Sequence, residues 1–410
     1  MPEVDPNILS RDRIRVVSLV QAETVTGPMK PLLMFSKNIQ ALPARCTGIL
    51  HSAVTTVRTR RSGIPIPNGF LQAAEAAGLP VDIIPERFPF DPTILPQLVR
   101  YLAGRAPHII ETHDFKSHLL IWLLKKTRAI RGAQWIAFHH GYTRMSPRVR
   151  MYQQLDRLSL RKADQVVTVC TPFVEQLLKR GVEPGRITIL ANAIENRART
   201  SHFEMLALKQ RLQLQSTDRI ILSVGRLSVE KGHATLIAAY RLLNSKPAYR
   251  DLRLILVGDG GEMHTLRAAA ADLSDRVLFT GHVEDPWPYY CMADVFTLPS
   301  YSEGSPLALF EAMSAALPIV ASSVGGIPET LSDEASALLV RPGNTDELAA
   351  ALERVLRDNT WAANLGRRAR SVAEQFTPER YTQRRIAIYE SLLAKRPAST
   401  DSRADFRDVS

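Results

Sequence analysis

Two basic residues in the second half of the chain have the types and the spacing needed to bind a phosphorylated ligand. Arg226 and Lys231 follow an apolar run that leads into Gly225, in the segment Gly-Arg-Leu-Ser-Val-Glu-Lys-Gly. An arginine can grip a phosphate with two parallel hydrogen bonds, and a lysine supplies a compact positive charge. The segment lacks the Gly-x4-Gly-Lys-Ser/Thr spacing of a Walker loop. It therefore predicts either a phosphate site of another kind or a surface loop with two solvated cations.

Two glutamates lie on either side of a predicted helix start further along the chain. Glu303 precedes the pair Ser305 and Pro306, which suits an N-cap followed by the first helical position. The helix would then start at the edge of the sheet, where its free N–H groups could receive a phosphate. Glu311 lies within an otherwise apolar helix, where a carboxylate is costly to bury alone. We expect it to face a ligand or, alternatively, to form a structural ion pair.

The first half of the chain contains two histidines that directly follow predicted strands. His140 stands before Gly141 at the end of the run 135–138, and His113 follows the run 108–112. A histidine at such a position either contacts a ligand or makes a structural hydrogen bond. The turn at Gly27, which follows the first predicted strand, would lie at the same edge of a parallel sheet.

Neither a metal site nor a disulfide framework is expected. The three cysteines Cys46, Cys170 and Cys291 lie far apart, without a Cys-x-x-Cys pair. No Asp-x-Asp motif occurs that could hold a divalent cation. A reducing compartment fits this cysteine usage best.

Short apolar runs alternate with longer helical patterns, which predicts βαβ units on parallel sheets. The predicted strands are Ile14–Val20, Gly48–Val54, Val81–Ile84, His108–Thr112, Trp135–Phe138, Gln165–Val169, Ile187–Leu190, Arg219–Val224, Leu252–Val257, Val277–Phe279, Val295–Leu298, Ile319–Ala321 and Ala337–Val340. The predicted helices include Lys116–Ile130, Pro147–Ala163, Glu262–Leu273, Pro306–Ala315 and Thr345–Arg357.

These elements predict an α/β protein with two doubly wound, Rossmann-like domains that face a central cleft. We place the first domain at residues 13–195 and the second at 215–375, because a polar stretch interrupts the alternation between them. A last helix at 376–396 is expected to cross back to the first domain, and 1–12 and 397–410 are expected to be loose tails. Ligands of such sheets bind outside the carboxyl ends of the strands.

The charge of the chain is concentrated in its first half. Of the net charge of +11, residues 1–200 contribute +13, with 28 Lys and Arg against 15 Asp and Glu. An anionic membrane surface, a phosphate-bearing substrate or a merely solvated basic face would each explain this excess. Nucleic acid would explain the basic half only, and no nucleic-acid partner is expected.

Several segments together resemble the family 4 (group 1) retaining glycosyltransferases, which have the GT-B fold. The resemblance rests on Gly-Arg…Lys-Gly, on SEGSPLALFEAM with its Glu-x7-Glu spacing, and on PIVASSVGGIPE. Further matches are VLFTGHV at 277–283, LILVGDGGE at 254–262 and KADQVVTVCTPFVEQLLKRG at 162–181. It covers residues 13–395, nearly the whole chain.

The resemblance implies transfer of a sugar from a nucleotide-sugar to an acceptor with retention at the anomeric carbon. Arg226 and Lys231 would hold the donor diphosphate, Glu303 would contact the sugar, and Glu311 would accept the ribose hydroxyls. Further donor contacts would come from backbone at Val283, Ser305, Pro306, Leu307 and Gly27. His140 would be the active-site histidine, and His113 would contact the acceptor.

The same resemblance implies front-face substitution without a metal, in which the leaving phosphate helps to take the acceptor's proton. The nucleotide-sugar is a co-substrate, and no cofactor is expected. A sugar-nucleotide epimerase of the same twin-domain fold is the alternative enzyme, and a non-catalytic membrane-binding or nucleic-acid-binding protein is the alternative of another class.

The acidic N-terminus and the lack of a long apolar run predict a cytoplasmic protein. Docking on the inner membrane face, to reach a lipid-linked or growing glycan acceptor, is a further hypothesis. Its basis is two basic segments, Lys116–Arg131 and Arg144–Lys162, in which cations stand beside apolar residues. In the alternative interpretation, the apolar residues of the first segment are the core face of a helix.

Overall fold

The computed structural model describes residues 13–41, 48–58, 68–88, 91–130, 132–141 and 155–395. These residues form two compact units. The first unit contains residues up to 169, residues 173–191 and those from Pro378 onward, and the second contains 170–172 and 192–377. The first unit is therefore assembled from both ends of the chain.

Each unit is built on one sheet of parallel strands. The strands are β1 (Ile14–Val20), β2 (Ile49–Arg58), β3 (Val81–Glu86), β4 (Ile109–Thr112), β5 (Gln134–His139), β6 (Gln165–Thr168), β7 (Ile187–Ile189), β8 (Arg219–Val224), β9 (Leu252–Val257), β10 (Val277–Gly281), β11 (Val295–Leu298), β12 (Ile319–Ser322) and β13 (Leu338–Val340). The first sheet has the order β3-β2-β1-β4-β5-β6-β7 and the second has the order β10-β9-β8-β11-β12-β13. The predicted fold class is confirmed.

Helices connect the strands on both faces of each sheet. They are α1 (Met29–Ala41), α2 (Gly69–Ala76), α3 (Ile94–Arg105), α4 (Phe115–Lys126), α5 (Thr171–Lys179), α6 (His202–Arg211), α7 (His233–Asn244), α8 (Met263–Ala269), α9 (Trp287–Met292), α10 (Leu307–Ser314), α11 (Ile327–Thr330), α12 (Thr345–Arg357), α13 (Asn359–Ala373) and α14 (Pro378–Ala394). Residues 155–160 are also helical.

The strand order reverses once in each sheet, between β1 and β4 and between β8 and β11. Right-handed crossovers in the two directions place helices on opposite faces of a sheet. Loops on either side of the reversal diverge, which leaves a crevice at the carboxyl ends of those two strands. Gly27 and His113 of the first unit, and Arg226, Lys231 and Glu303 of the second, lie on the loops that follow these central strands. His140 instead follows β5, Val283 follows β10, and Glu311 lies on the helix Leu307–Ser314.

Helix α14 is part of the first unit and packs against α1. Its Arg385 is fully buried and contacts the fully buried Glu111 of β4, with Nη2 2.5 Å from Oε2. The same carboxylate accepts hydrogen bonds from Tyr389 at 2.5 Å and from Ser18 at 2.7 Å. Burial alone would raise the pKa of Glu111, but the positive charge of Arg385 holds it well below its ordinary value. This network fixes the C-terminal helix to the middle of the first sheet.

Two predicted helices end earlier than the apolar pattern suggested. The helix predicted at Lys116–Ile130 stops at Lys126, because Thr127 caps it and Arg128 takes a left-handed conformation with φ 61°. The helix predicted at Glu262–Leu273 is split into α8 and a 3₁₀ turn over Ala271–Leu273. The predicted helix Pro147–Ala163 falls partly outside the described residues.

Candidate functional site

The loops after β8 and β11 form the candidate site of the second unit. Gly232 ends the first loop with φ 67°, and a Cβ there would overlap the carbonyl oxygen of Pro299 in the second loop. The amide of Tyr301 donates to the carbonyl of Glu230 at 2.8 Å. A glycine is required at 232 for both reasons, since left-handed backbone and close approach each disfavour a side chain.

Lys231 and Glu303, predicted separately, are brought into direct contact. Lys231 Nζ lies 2.7 Å from Glu303 Oε1, and the hydroxyl of the fully buried Ser300 donates to the same oxygen at 2.6 Å. Glu303 is 7% exposed, whereas Arg226 is exposed. The site thus combines a held carboxylate with two cations. Ser300 was missed at the sequence level, since a single serine after a strand carries no distinctive signal.

A pair of glycines determines the path of the Glu303 loop. Gly325 has φ 57°, and a Cβ on it would overlap the carbonyl oxygen of Glu303. The amide of Gly326 donates to the carbonyl of Gly304 at 3.1 Å. The two glycines of the segment PIVASSVGGIPE therefore let the loop after β12 pack directly on the backbone of Glu303 and Gly304.

The prediction that Ser305 caps the following helix is wrong. Helix α10 begins at Leu307, its N-cap residue is Pro306 in extended conformation, and no side chain caps it. The Ser305 hydroxyl instead accepts from the Asn192 amide at 3.0 Å, and the Asn192 side chain donates to the Ser305 carbonyl at 2.6 Å. A partner far away in the sequence has replaced the local capping interaction.

Glu311 is half-buried on α10, and Tyr290 of α9 donates its phenol to Glu311 Oε2 at 2.8 Å. Val283 is half-buried in the loop that follows β10. The same loop is held by Arg197, which makes two hydrogen bonds to Asp285 at 2.6 and 2.8 Å. Tyr290 and Arg197 were not predicted, because their roles depend on partners that are 21 and 88 residues away.

His233 opens α7 directly behind Lys231 and Gly232. Burial, with a smaller contribution from the charge of Lys231, lowers the pKa of His233 to about 4. His233 is therefore neutral at physiological pH. The two positive side chains expected to bind an anion here remain Arg226 and Lys231.

His140 and His113 of the first unit lie side by side after β5 and β4. Their rings are stacked with centroids 6.0 Å apart, and His113 also stacks on Phe138 at 4.5 Å. Burial lowers the pKa of both histidines, so both are neutral at physiological pH. Among the described residues, His140 Nε2 has no partner within hydrogen-bond distance, and His113 Nε2 lies 3.7 Å from Glu111 Oε2. His113 is buried and His140 is half-buried, and a neutral ring with an unsatisfied nitrogen, as in His140, suits hydrogen bonding to a ligand.

Gly27 lies in an exposed turn, where the Thr26 carbonyl accepts from the amides of Met29 and Lys30. A Cβ on Gly27 would meet no atom within 4 Å. The turn itself therefore gives no steric reason for a glycine, and its contact with a ligand stays a prediction.

The apolar residues of Lys116–Arg131 belong to the core. Leu120, Ile121 and Leu124 are buried in the first unit, and Lys116 is buried 2.6 Å from Glu86. Lys125 forms an ion pair with Asp164. Of the second segment, Arg144, Arg148 and Arg150 lie outside the described residues, whereas Leu155, Leu158, Arg161 and Lys162 are exposed. The core-face interpretation of the first segment is therefore correct.

Within the described ranges, no cluster of three or more His, Cys, Asp or Glu side chains is arranged to hold a metal ion. Over the same residues, every helix is too short or too polar to cross a membrane.

Two family models match the chain on either side of the boundary between the units. The model "Glycosyl transferase 4-like domain" matches residues 47–193, and "Glycosyl transferases group 1" matches residues 205–372. The second match contains the Lys231 and Glu303 loops together with Tyr290 and Glu311.

Known proteins show the same relationship. The chain is 32% identical to 2-deoxystreptamine glucosyltransferase of Streptomyces kanamyceticus over 59% of its own length and 64% of that protein. It is 28% identical to N-acetylgalactosamine-N,N'-diacetylbacillosaminyl-diphospho-undecaprenol 4-alpha-N-acetylgalactosaminyltransferase of Campylobacter jejuni, over 52% of the chain and 57% of that protein. The matches thus span less than two thirds of these curated relatives.

A solved structure extends the likeness to the fold of nearly the whole chain. Anabaena Alr3699/HepE, in complex with UDP and glucose, superposes with a TM-score of 0.77 at 20% identity, over 92% of this chain and 100% of that one. One conclusion follows from the two parallel sheets, from the pairing of Lys231 with Glu303 and from the two family models. The chain belongs to the family 4 (group 1) glycosyltransferases and has the GT-B fold.

Proposed function

We propose that this protein transfers a sugar from a nucleotide-sugar to an acceptor with retention of anomeric configuration. The observation that carries the proposal is the contact between Lys231 and Glu303 at 2.7 Å, at the reversal of strand order in the second sheet. A cation and a held carboxylate at this position suit the diphosphate and the sugar of one donor molecule. The group 1 family model, which matches this region, supports the same assignment.

Breaking the anomeric C–O bond leaves an oxocarbenium-like centre and a nucleoside diphosphate with new negative charge. Charge that develops in a transition state is best stabilised by groups already in place. We assign this task to Arg226 and Lys231, with Lys231 fixed by Glu303. Because two cations are available, the proposed reaction does not depend on a metal ion.

Retention is proposed to follow from front-face substitution. Glu303 Oε1 already accepts two hydrogen bonds, from Lys231 and Ser300, which suits a residue that contacts sugar hydroxyls rather than a nucleophile. The leaving phosphate would then take the acceptor's proton. His140, kept neutral by burial, would hydrogen-bond the donor sugar, and His113 would contact the acceptor.

The proposal is tested by a thermal-shift screen of UDP-, GDP- and ADP-sugars, followed by a transfer assay. A donor that binds only the folded protein raises its melting temperature by mass action. HepE crystallised with UDP, so the UDP-sugars are the first probes. Product formation that requires both donor and acceptor supports a transferase, whereas conversion of the donor alone would favour the epimerase.

We expect transfer to survive excess EDTA, because side chains rather than a metal stabilise the leaving diphosphate. The measurement is the initial rate with and without EDTA, using a protein freed of metals beforehand as the reference. Complete loss of activity that only Mn²⁺ or Mg²⁺ restores would assign the charge stabilisation to a metal instead.

For the acceptor, we propose a lipid-linked or growing glycan reached from a membrane surface. The Campylobacter jejuni relative, whose name specifies a diphospho-undecaprenol acceptor, supports this class, and 2-deoxystreptamine glucosyltransferase represents the soluble alternative. The cations Lys126, Arg128, Arg161 and Lys162 are exposed, as are Leu155 and Leu158. Each cation near an anionic leaflet contributes about 1 kcal/mol, so four can hold a protein reversibly.

Vesicle flotation tests this docking. With about 30% anionic lipid, we expect binding in 0.1 M salt and release in 1 M salt, as the Debye length falls from ~10 Å to ~3 Å. Reversal of Lys126, Arg128, Arg161 and Lys162 to glutamate should abolish binding, and Lys246→Glu in the second unit is the control. Absence of binding at low salt, or indifference to salt, would favour a soluble acceptor.

A further inference from the structure

Tyr290 connects the two parts of the second unit that are expected to meet the nucleoside of the donor. The loop that carries Val283 follows β10 and leads through Pro286 directly into α9. Tyr290 lies on α9 and donates its phenol to Oε2 of Glu311, on α10, at 2.8 Å. The base-side loop and the expected ribose-binding carboxylate are therefore one helix apart.

The ring of Tyr290 is held firmly. It is fully buried, with its centroid 5.6 Å from that of Phe296 and 6.4 Å from that of Trp287. Burial and the nearby charge of Glu311 raise the pKa of Tyr290 well above its ordinary value, so the phenol keeps its proton. Toward the carboxylate it can act only as a hydrogen-bond donor.

Glu311, by contrast, is less enclosed than the ring that donates to it. Its neighbours on α10, Phe310 and Ala312, are fully buried, while Glu311 itself is only half-buried. A glutamate side chain has several rotamers, and fixing it on ligand binding costs conformational entropy. A carboxylate that binds two adjacent hydroxyls must present its plane to both. A hydrogen bond from the protein that already holds one carboxylate oxygen reduces the conformational entropy lost when the ligand binds.

We propose that Tyr290 is a positioning residue for recognition of the donor ribose, acting through Glu311. The inference rests on the proposed function, because it assumes that a nucleoside diphosphate binds in the second unit. It adds a residue outside the Glu-x7-Glu motif. It also predicts that Tyr290 affects the binding of the ribose hydroxyls and not the binding of any other part of the nucleotide.

The test compares ribose with deoxyribose ligands. Dissociation constants for UDP, 2′-deoxy-UDP and 3′-deoxy-UDP are measured by calorimetry on the full chain, with GDP and its deoxy forms in parallel. A hydrogen bond to a charged group corresponds to a preference of roughly ten- to a hundredfold. We expect wild-type protein to prefer the ribonucleotide by that factor, and Tyr290→Phe to reduce the preference about three- to tenfold. The affinity for the deoxy forms should change less than about twofold.

Two further variants keep the result unambiguous. Tyr240→Phe removes another buried phenol of the same unit, which donates to the Leu252 carbonyl at 2.6 Å, and it should leave the preference unchanged. In a Glu311→Gln background, adding Tyr290→Phe should have little further effect on the preference, because coupled residues are not additive. If Tyr290→Phe does not fold, Tyr290→Leu, which likewise lacks a hydrogen-bond donor, is measured in the same way.

An equal loss of affinity for ribose and deoxyribose ligands in Tyr290→Phe would show that Tyr290 is only structural. An unchanged preference would overturn the inference as well. Failure of wild-type protein to bind any nucleoside diphosphate is a different result, since it would refute the proposed function from which the inference starts.

Discussion

Replacing Lys231 with alanine is expected to lower the rate of sugar transfer by about 10²–10³-fold, the effect of removing one preorganised donor from a developing negative charge. The ammonium group lies 2.7 Å from Glu303, so the change also removes one of the two hydrogen bonds that hold this carboxylate. The loss should therefore appear mainly in kcat, with a smaller change in donor affinity. Initial rates at saturating donor provide the measurement.

Arg226→Ala separates the two effects of Lys231→Ala, the loss of a positive charge and the loss of a hydrogen bond to Glu303. Arg226 is exposed, and its removal should cost a similar factor in kcat without disturbing Glu303. Lys246→Ala, which removes an exposed lysine paired with Glu353 at 2.7 Å, is the matched control and should retain full activity. Wild-type turnover by a folded Lys231→Ala protein would rule out its role in stabilising the diphosphate.

The second large effect is expected from the buried ion pair of the first unit. Glu111→Ala or Arg385→Ala leaves an uncompensated buried charge, which destabilises a protein by about 3–5 kcal/mol. The loss should be local, in the first sheet and α14. Native-state hydrogen exchange of the β4 and β5 amides measures the local free energy of opening in the full chain.

An exposed ion pair provides the comparison. Arg241 binds Asp272 with two hydrogen bonds at 2.8 and 2.9 Å, but both side chains are about half exposed. Asp272→Ala should therefore destabilise the protein far less than Glu111→Ala, because solvent screens an exposed pair. If Glu111→Ala is no more destabilising than Asp272→Ala, α14 is held to the first unit by its apolar contacts alone.

Acid should weaken the same region. Because the folded pKa of Glu111 is lowered, its contribution is complete above its unfolded pKa and is lost as the pH falls through the folded value. Burial lowers the pKa of the neighbouring His51 to about 3. Between pH 6.5 and 3 the unfolded chain therefore binds more protons than the folded chain, and the free energy of unfolding decreases as the pH falls. Exchange protection of β4 should decrease over this range, and His51→Gln should make the decrease shallower. A pH-independent profile would contradict this.

The sequence by itself determined the elements. Every observed strand overlaps a predicted one, because strands of a parallel sheet are buried on both faces and read as short apolar runs. The candidate residues could be located because loops after such strands meet at one edge of the sheet. The sequence also showed which half carries the excess charge. Helix ends depend on single residues: α4 stops at Lys126, because the cap at Thr127 and the left-handed Arg128 end the helix although the predicted pattern continues to Ile130.

The partners of the candidate residues were decided only by the tertiary structure. Ser305 fits a local cap, yet it binds Asn192, which is 113 residues away. Tyr290 and Glu311 are separated by 21 residues, and Glu111 and Arg385 by 274. Periodicity and capping rules describe interactions within a few residues, whereas a buried polar group takes whichever partner the packed fold brings into reach. The sequence therefore predicts which residues are functional, whereas the distances and partners of these residues are determined by contacts between distant parts of the folded chain.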